Sequence, residues 1–376
     1  MSERKAVSRV VADYLKRGRA RSGMSFREVE QQTRARGLLV PFSTLAKIER
    51  GRLEPGLKRL RQLLDLYGAP AGIVDELLDL EIFMGEPPRI RDEDEESAYA
   101  RARALLLAGD VKQAMGYMFE LRRTTWADEG KRNLSQKAMI GFALAAGSIG
   151  KHRLGLQFVD EVLIEGPGPD VLVEALVQAA ICWEGLGGYE AALAFVERAE
   201  KLAAADSQRM GWVLQQKSVI LRKAGQLDAA SSCISATLRT YEECGDHYGV
   251  AKGLGAVARL ELARGDVAAA LAAIRTSLGI AREHGFERLV RLRTVMEGNL
   301  LAELGEVDAG VEKLRAGLAE TITRDDDSVR FYAHYYLWKV YSKQRDAARA
   351  QVELEAARYY VRFVDESSDE ARDVRS

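Results

Sequence analysis

One local pattern recurs seven times after residue 95, and it limits what the chain can fold into more than any other feature. Two apolar-periodic stretches meet at a turn centred on Gly109, Gly150, Gly187, Gly225, Gly265, Gly305 and the Gln344-Arg345 pair, with centres 37 to 41 residues apart. Five residues after each centre stands a small residue: Ala114, Gly155, Ala192, Ala230, Ala270, Gly310 and Ala350. Four further on stands an apolar one: Met118, Val159, Val196, Ile234, Ile274, Leu314 and Leu354. Seven residues before the centre the chain has Ala102, Ala143, Ala180, Ser218, Ala258 and Gly298, with Trp338 breaking the series. Small residues at fixed positions let two helices approach closely, and the apolar residue one turn later fills the gap to the next pair. A single helical pair cannot bury its own apolar face, so the pairs must stack.

This pattern resembles the tetratricopeptide repeat (TPR), and Gly109-Asp110, Gly188-Tyr189 and Gly265-Asp266 are similar to its turn. The period near 40 makes these long, degenerate repeats. The resemblance implies an all-α fold, a right-handed TPR-like α-solenoid of about seven helical hairpins over residues 95–364. It also implies that the first helix of each hairpin faces a concave groove. Positions six, ten and thirteen residues before each turn centre then give a candidate lining of Trp212, Gln215, Lys252, Arg259, Asn299, Tyr332, Tyr335 and Lys339, with Arg222 and Glu184 nearer the turns. That set is basic and aromatic, which suits a carboxylate or an extended peptide.

Charge sets the first sixty residues apart. Residues 1–61 hold 16 Lys/Arg and 6 Asp/Glu, a net of +10, whereas the whole chain is −1, leaving −11 for residues 62–376. A basic head on an acidic body is the asymmetry expected when only the head meets a polyanion, although a solvated basic helix surface has the same composition. Helical periodicity from Ala6 to Arg19 places Val7, Val10, Val11 and Leu15 on one stripe, and Gly23 ends it. Ser25 precedes Glu28 by three, a capping-box spacing that opens a second helix running to about Arg34, with Gly37 after it. A third helix starts near Pro41 and stops at Gly51, and residues 56–67 and 73–83 give two more.

The segments GMSFREVE, PFSTLAKIERGRLEP and LRQLLDLYG resemble the Xre/Cro-type helix-turn-helix over roughly residues 10–70. Leu45 and Ile48 would pack the recognition helix inward. By this resemblance Phe42, Ser43 and Lys47 would reach base edges, Thr44 would bond a phosphate, and Arg27, Arg50 and Arg52 would sit by phosphates. A lysine reading guanine is worth about 1–3 kcal/mol of discrimination. Phe26 stands where the family usually has Gln, and the connection between helices two and three (Gln31–Val40) is longer than usual. Regulators that join such a head to TPR repeats resemble the RRNPP group, which senses short secreted peptides (quorum sensing), often through inward Asn residues. The chain has two Asn, Asn133 and Asn299, and Asn299 falls on a concave position.

The Pro87-Pro88 pair and the acidic run Asp92–Glu96 mark a linker, so the expected domains are residues 1–83, a linker 84–94, the repeats 95–364 and a polar, frayed tail 365–376. Tyr359, Tyr360 and Phe363 near the end suit a cap or a dimer contact. Cys182, Cys233 and Cys244 form no CxxC pair, the four histidines have no metal-ligand spacing, and no apolar stretch reaches the roughly 18 residues of a membrane span. No Walker loop, HExxH, GxSxG or GxGxxG stands in a supporting context. The expectation is therefore a cytoplasmic, homodimeric, ligand-responsive DNA-binding regulator without cofactor, metal or enzymatic activity. The alternative is a TPR interaction scaffold whose helix-turn-helix is secondary or dimerising.

Overall fold

The computed structural model describes residues 8–70, 72–88, 90, 94–203, 206–321, 326–365 and 368–376. Val7, Asp92, Glu93, Glu366 and Ser367 lie outside the described residues. The chain divides into two compact units, Met1–Pro87 and Pro88–Ser376. Every regular element described is helical. No helix among the described residues is long and apolar enough to cross a membrane.

The first unit packs α1 (Arg9–Arg21), α2 (Phe26–Ala35), α3 (Phe42–Glu49), α4 (Leu57–Leu66) and α5 (Ile73–Met84). The capping box forms: Ser25 Oγ accepts from Glu28 N, and the Glu28 carboxylate accepts from Ser25 N at 2.7 Å. Leu15, Val29, Leu45, Ile48, Leu63 and Leu77 make a core that is at most 1% exposed. One buried ion pair, Asp13–Arg17 at 2.9 Å, lies along α1.

The second unit is seven antiparallel hairpins. They pair α6 (Glu95–Ala108) with α7 (Val111–Thr125), α8 (Arg132–Ser148) with α9 (His152–Ile164), and α10 (Pro169–Gly185) with α11 (Tyr189–Ala203). They continue with α12 (Ser207–Lys223) and α13 (Leu227–Glu243), α14 (His247–Arg264) and α15 (Val267–Glu283), and α16 (Glu287–Glu303) and α17 (Val307–Ala319). The last pair is α18 (Asp327–Lys343) and α19 (Ala347–Tyr360), followed by a short final helix, α20 (Asp369–Arg375).

All seven turn centres fall where the spacing puts them, and all adopt left-handed backbone: six glycines with φ between 77° and 92°, and Arg345 at φ 60°. Each turn closes the same way, the residue after the centre donating its N–H back across the turn, as Asp110 N to Leu105 O and Asp346 N to Tyr341 O. Aspartates cap helix after helix at the entry side: the side chains of Asp110, Asp206, Asp246, Asp266, Asp326 and Asp346 each accept from an amide three residues on. The small residues sit where the hairpins cross. A Cβ on Gly298 would stand 2.8 Å from Gly310 O, and one on Gly310 would stand 2.7 Å from Gly298 O.

The array returns on itself. Arg291 Nη2, at the start of the sixth hairpin, donates to Ala108 O in the first at 3.4 Å, and Gly109 lies under Arg288 and Asp326. His152 in the second hairpin meets Asp365, beyond the seventh, at 2.9 Å.

The tail corrects an expectation. Residues 369–375 are helical, Ser368 caps them, and Ala371 and Val374 are buried against Phe331, Tyr335 and Ala357. The apolar i, i+3 pair inside a polar sequence is enough to dock one short helix, and composition alone hid it.

Candidate functional site

In the first unit, α3 is held from behind and open in front. Pro41 provides no side-chain cap, so Glu30 on α2 reaches across and accepts from Phe42 N at 2.9 Å. Thr33 ties the connection twice: its Oγ1 accepts from Val40 N at 3.1 Å and its carbonyl accepts from Gln62 Nε2 at 3.0 Å. The long connection between α2 and α3 is thus fixed by these bonds. At the far end of α3, Arg19 holds Glu49, and the same guanidinium lies 4.0 Å over the Phe26 ring. Phe26 thereby serves as a platform for the residue that anchors α3. The hydrogen bond to Glu49 keeps the Arg19 pKa above its ordinary value, outweighing burial.

Leu45 and Ile48 face inward, as their spacing implied, while Phe42 (54% exposed), Ser43 and Lys47 face out and Thr44 is half-buried. Arg27, Arg50 and Arg52 are also exposed. One helix face therefore offers an aromatic ring, a hydroxyl and an ammonium at a helix N-terminus, with the exposed guanidinium groups of Arg27, Arg50 and Arg52 on neighbouring segments. Such a surface can take phosphates and base edges.

In the second unit the concave side holds a cavity of about 990 Å³. Its walls come almost wholly from the first helices of hairpins one to six: Arg103 and Leu106 on α6, Lys137 on α8, Glu174 on α10, Trp212 on α12, Lys252 on α14 and Arg288 on α16 are among them. Glu174 has its pKa raised by burial, opposed by Lys137, Arg103 and Arg209. At the other pole Arg288 and Arg291 share the buried Asp326 at 3.3 and 3.5 Å.

Of the ten candidate lining residues, Trp212 and Lys252 line this cavity and the other eight do not, Glu184 being paired instead with Lys223. Gln215 is buried and accepts from Tyr241 Oη at 3.0 Å. Tyr335 and Lys339 both donate to Asp373 of α20, at 2.9 and 3.0 Å, and Tyr332 packs in the same cluster. Arg222 has its pKa lowered by burial and then by Arg259, with Glu184, Asp369 and Glu370 acting the other way. Arg259 is exposed, and Asn299 lies half-buried on α16. The physical reason is tilt. The thirteen-back positions Lys137, Glu174, Trp212 and Lys252 line the cavity, whereas the six- and ten-back positions line it only in the first two hairpins and leave it from α10 onward. Arg209 and Arg288, sixteen and seventeen residues before their turn centres, were missed for that reason, whereas Arg103 and Lys137 stand on the counted positions, six before Gly109 and thirteen before Gly150, and were left out of the lining.

Tyr359 is 56% exposed with Arg362 stacked 4.1 Å over it, whereas Tyr360 stacks on His334. Cys182 is buried, which pushes its thiol up to about 12, and Cys233 is half-buried with its thiol pushed up to about 11.

The sequence of residues 10–77 matches the family model for a helix-turn-helix domain. No curated protein matches the chain. Among solved structures, the apo form of RapI aligns with a TM-score of 0.52 at 10% identity, over 72% of this chain and 98% of that one. The human IFIT1 dimer with PPP-AAAA aligns with 0.52 at 15% identity, over 97% and 80%. The STAND protein with a tetratricopeptide repeat sensor, PH0952 from Pyrococcus horikoshii, aligns with 0.50 at 12% identity, over 96% and 62%. At these identities the likeness is one of fold. The chain joins an N-terminal helix-turn-helix domain to a TPR-like α-solenoid.

Proposed function

We propose that the protein is a sequence-specific DNA-binding transcriptional regulator whose solenoid cavity senses a ligand, a short peptide fitting it best. The observation that carries the first half is the α3 face: Phe42, Ser43 and Lys47 stand free while Leu45, Ile48 and Glu49 are held inward. Lys47 would read a base edge, and Arg27, Arg50 and Arg52 would fix register on phosphates. The net +10 of residues 1–61 supports a polyanionic partner. One helix-turn-helix reads few base pairs, so a homodimer on paired half-sites is the working form.

The second half rests on the cavity. Its volume is at the upper end of small-ligand pockets, and aromatic and charged groups alternate along it. An extended peptide offers matching backbone and side-chain partners. Because the walls belong to six hairpins, a ligand there would bias the curvature of the array, a rigid-body switch. Such a switch requires that the ligand bind two states unequally.

The test is selection of genomic DNA fragments by the full chain at near-physiological salt, with Lys47→Ala in parallel. A palindromic site enriched by the wild type and lost in the variant supports the regulator. No enrichment with or without added peptide overturns it and leaves an interaction scaffold. Enrichment that the variant retains removes Lys47 from the base-reading role.

A further inference from the structure

Within the cavity, the cations differ in what they touch. Arg288 and Arg291 are compensated by Asp326, and Arg291 also by Ala108 O. Arg293, buried behind them, donates to Ser277 Oγ at 2.9 Å and Ala251 O at 3.5 Å. Lys252 has no carboxylate or hydrogen-bond acceptor among the described residues. Its ammonium lies 5.9 Å from the centre of the Tyr248 ring, with Arg288 and Arg293 as like-charged neighbours and Asp246 as the opposing charge. Asp246 is itself engaged as the cap of α14, accepting from Gly249 N at 2.8 Å. Burial lowers the Lys252 pKa, which is the mark of a charge held at a cost.

A fold gains nothing by keeping an unpaired ammonium among like charges on a half-buried wall. An exposed lysine would snorkel to water, and a structural one would hold a carboxylate. What this lysine does have is room. It faces the cavity beside Tyr248, Phe286 and Trp212, with three N–H donors and nothing to receive them. The Tyr248 and Phe286 rings meet edge to face at 5.2 Å, a rigid apolar wall next to the charge.

We propose that Lys252 is the seat for an anionic group, a carboxylate or a phosphate, on a ligand whose apolar part lies against Tyr248, Phe286 and Trp212. This rests on the reading of the cavity as the ligand site and adds to it the chemistry at one end. The incoming anion supplies the missing counter-charge, and Arg288 strengthens the field without giving up Asp326.

Lys252→Met keeps the stem and removes the charge. In the unliganded full chain it raises the melting temperature, because no partner is orphaned. A lower melting temperature would show that the ammonium is structural and would overturn the proposal. The probes are a pool of random heptapeptides with free C-terminal carboxylates, the same pool amidated, and inorganic phosphate, each scored by thermal shift at constant ionic strength. The wild type responds to the free-acid pool or to phosphate, with at least a tenfold weaker apparent affinity in Lys252→Met. A free-acid response that amidation removes identifies a carboxylate. A response to phosphate alone, lost in Lys252→Met, keeps the seat and removes the peptide reading. Equal response to both pools, unchanged in Lys252→Met, keeps the peptide reading and removes the seat. No response to any probe removes both.

Discussion

Arg19 donates from Nε and Nη2 to the two carboxylate oxygens of Glu49, at 2.7 and 2.9 Å, joining α1 to the last turn of α3. Glu49 has a side chain only 4% exposed, so the pair sits where water does little screening. The contact fixes the tilt of the helix that carries Phe42, Ser43 and Lys47. Arg19→Met leaves a buried carboxylate without a partner and costs about 3 kcal/mol of the first unit's stability. Urea unfolding of the full chain, followed by hydrogen exchange in α1 and α3, checks this. Protection unchanged to within about 0.5 kcal/mol would show the pair to be idle.

The crossing of α16 and α17 is set by two glycines. A methyl on Gly298 would meet Gly310 O at 2.8 Å and the Leu314 backbone N at 2.9 Å, and neither is a flexible tip. Gly298→Ala is expected to destabilise by about 1–3 kcal/mol through forced separation of the helices, although alanine is the better helix former. The midpoint of chemical denaturation is the readout. A gain in stability would mean the crossing can relax.

Arg345 is the seventh turn centre and the one that is not glycine, yet it takes φ 60° like the others. Left-handed backbone costs a side-chain-bearing residue about 1–2 kcal/mol, partly offset because glycine loses more chain entropy on folding. Arg345→Gly should therefore raise stability by about 1 kcal/mol, read as a higher melting temperature. A lower one would assign the arginine side chain a role of its own.

Asp373 receives Lys339 at 3.0 Å and Tyr335 at 2.9 Å, and the lysine above all holds its carboxyl below the usual range. The folded pKa is depressed, so this stabilisation is complete above the unfolded value near 4 and is lost as pH falls through the folded one. Docking of α20 should loosen on acidification below about pH 4. Asp373→Asn should weaken docking already at pH 6 and flatten the acid limb of a melting-temperature profile. Parallel profiles for variant and wild type would remove Asp373 from that role.

Much of the architecture was legible because backbone rules leave few options. Left-handed turns favour glycine, close crossings demand small residues, and both leave a mark on the sequence at fixed spacing. Ala114, Ala192 and Gly310 could be read in that way, as could Ser25 with Glu28. The face of α3 was legible because Leu45 and Ile48 fix which side points in. The cavity was not, since its course depends on the tilt between successive hairpins, and no single repeat encodes that. Arg209 and Arg288 look like ordinary surface cations until the array curves around them. Nor could the pairings of His152 with Asp365 and of Arg291 with Ala108 be read, because residues so distant meet only after several crossing angles have accumulated.

Those two distant pairings change what kind of object the repeat unit is. A stack of hairpins with free ends is a one-dimensional chain of neighbours, and it can fray from either end one repeat at a time. Here the first hairpin leans on the sixth, and the second holds the segment that follows the seventh. Neither end can peel away without breaking a contact made far along the sequence. Damage to a middle hairpin should be felt at both ends, and the repeat unit is expected to melt as a whole. The cost is paid in time rather than in stability, because the closing contacts form only after most of the chain has ordered, and folding slows with sequence separation.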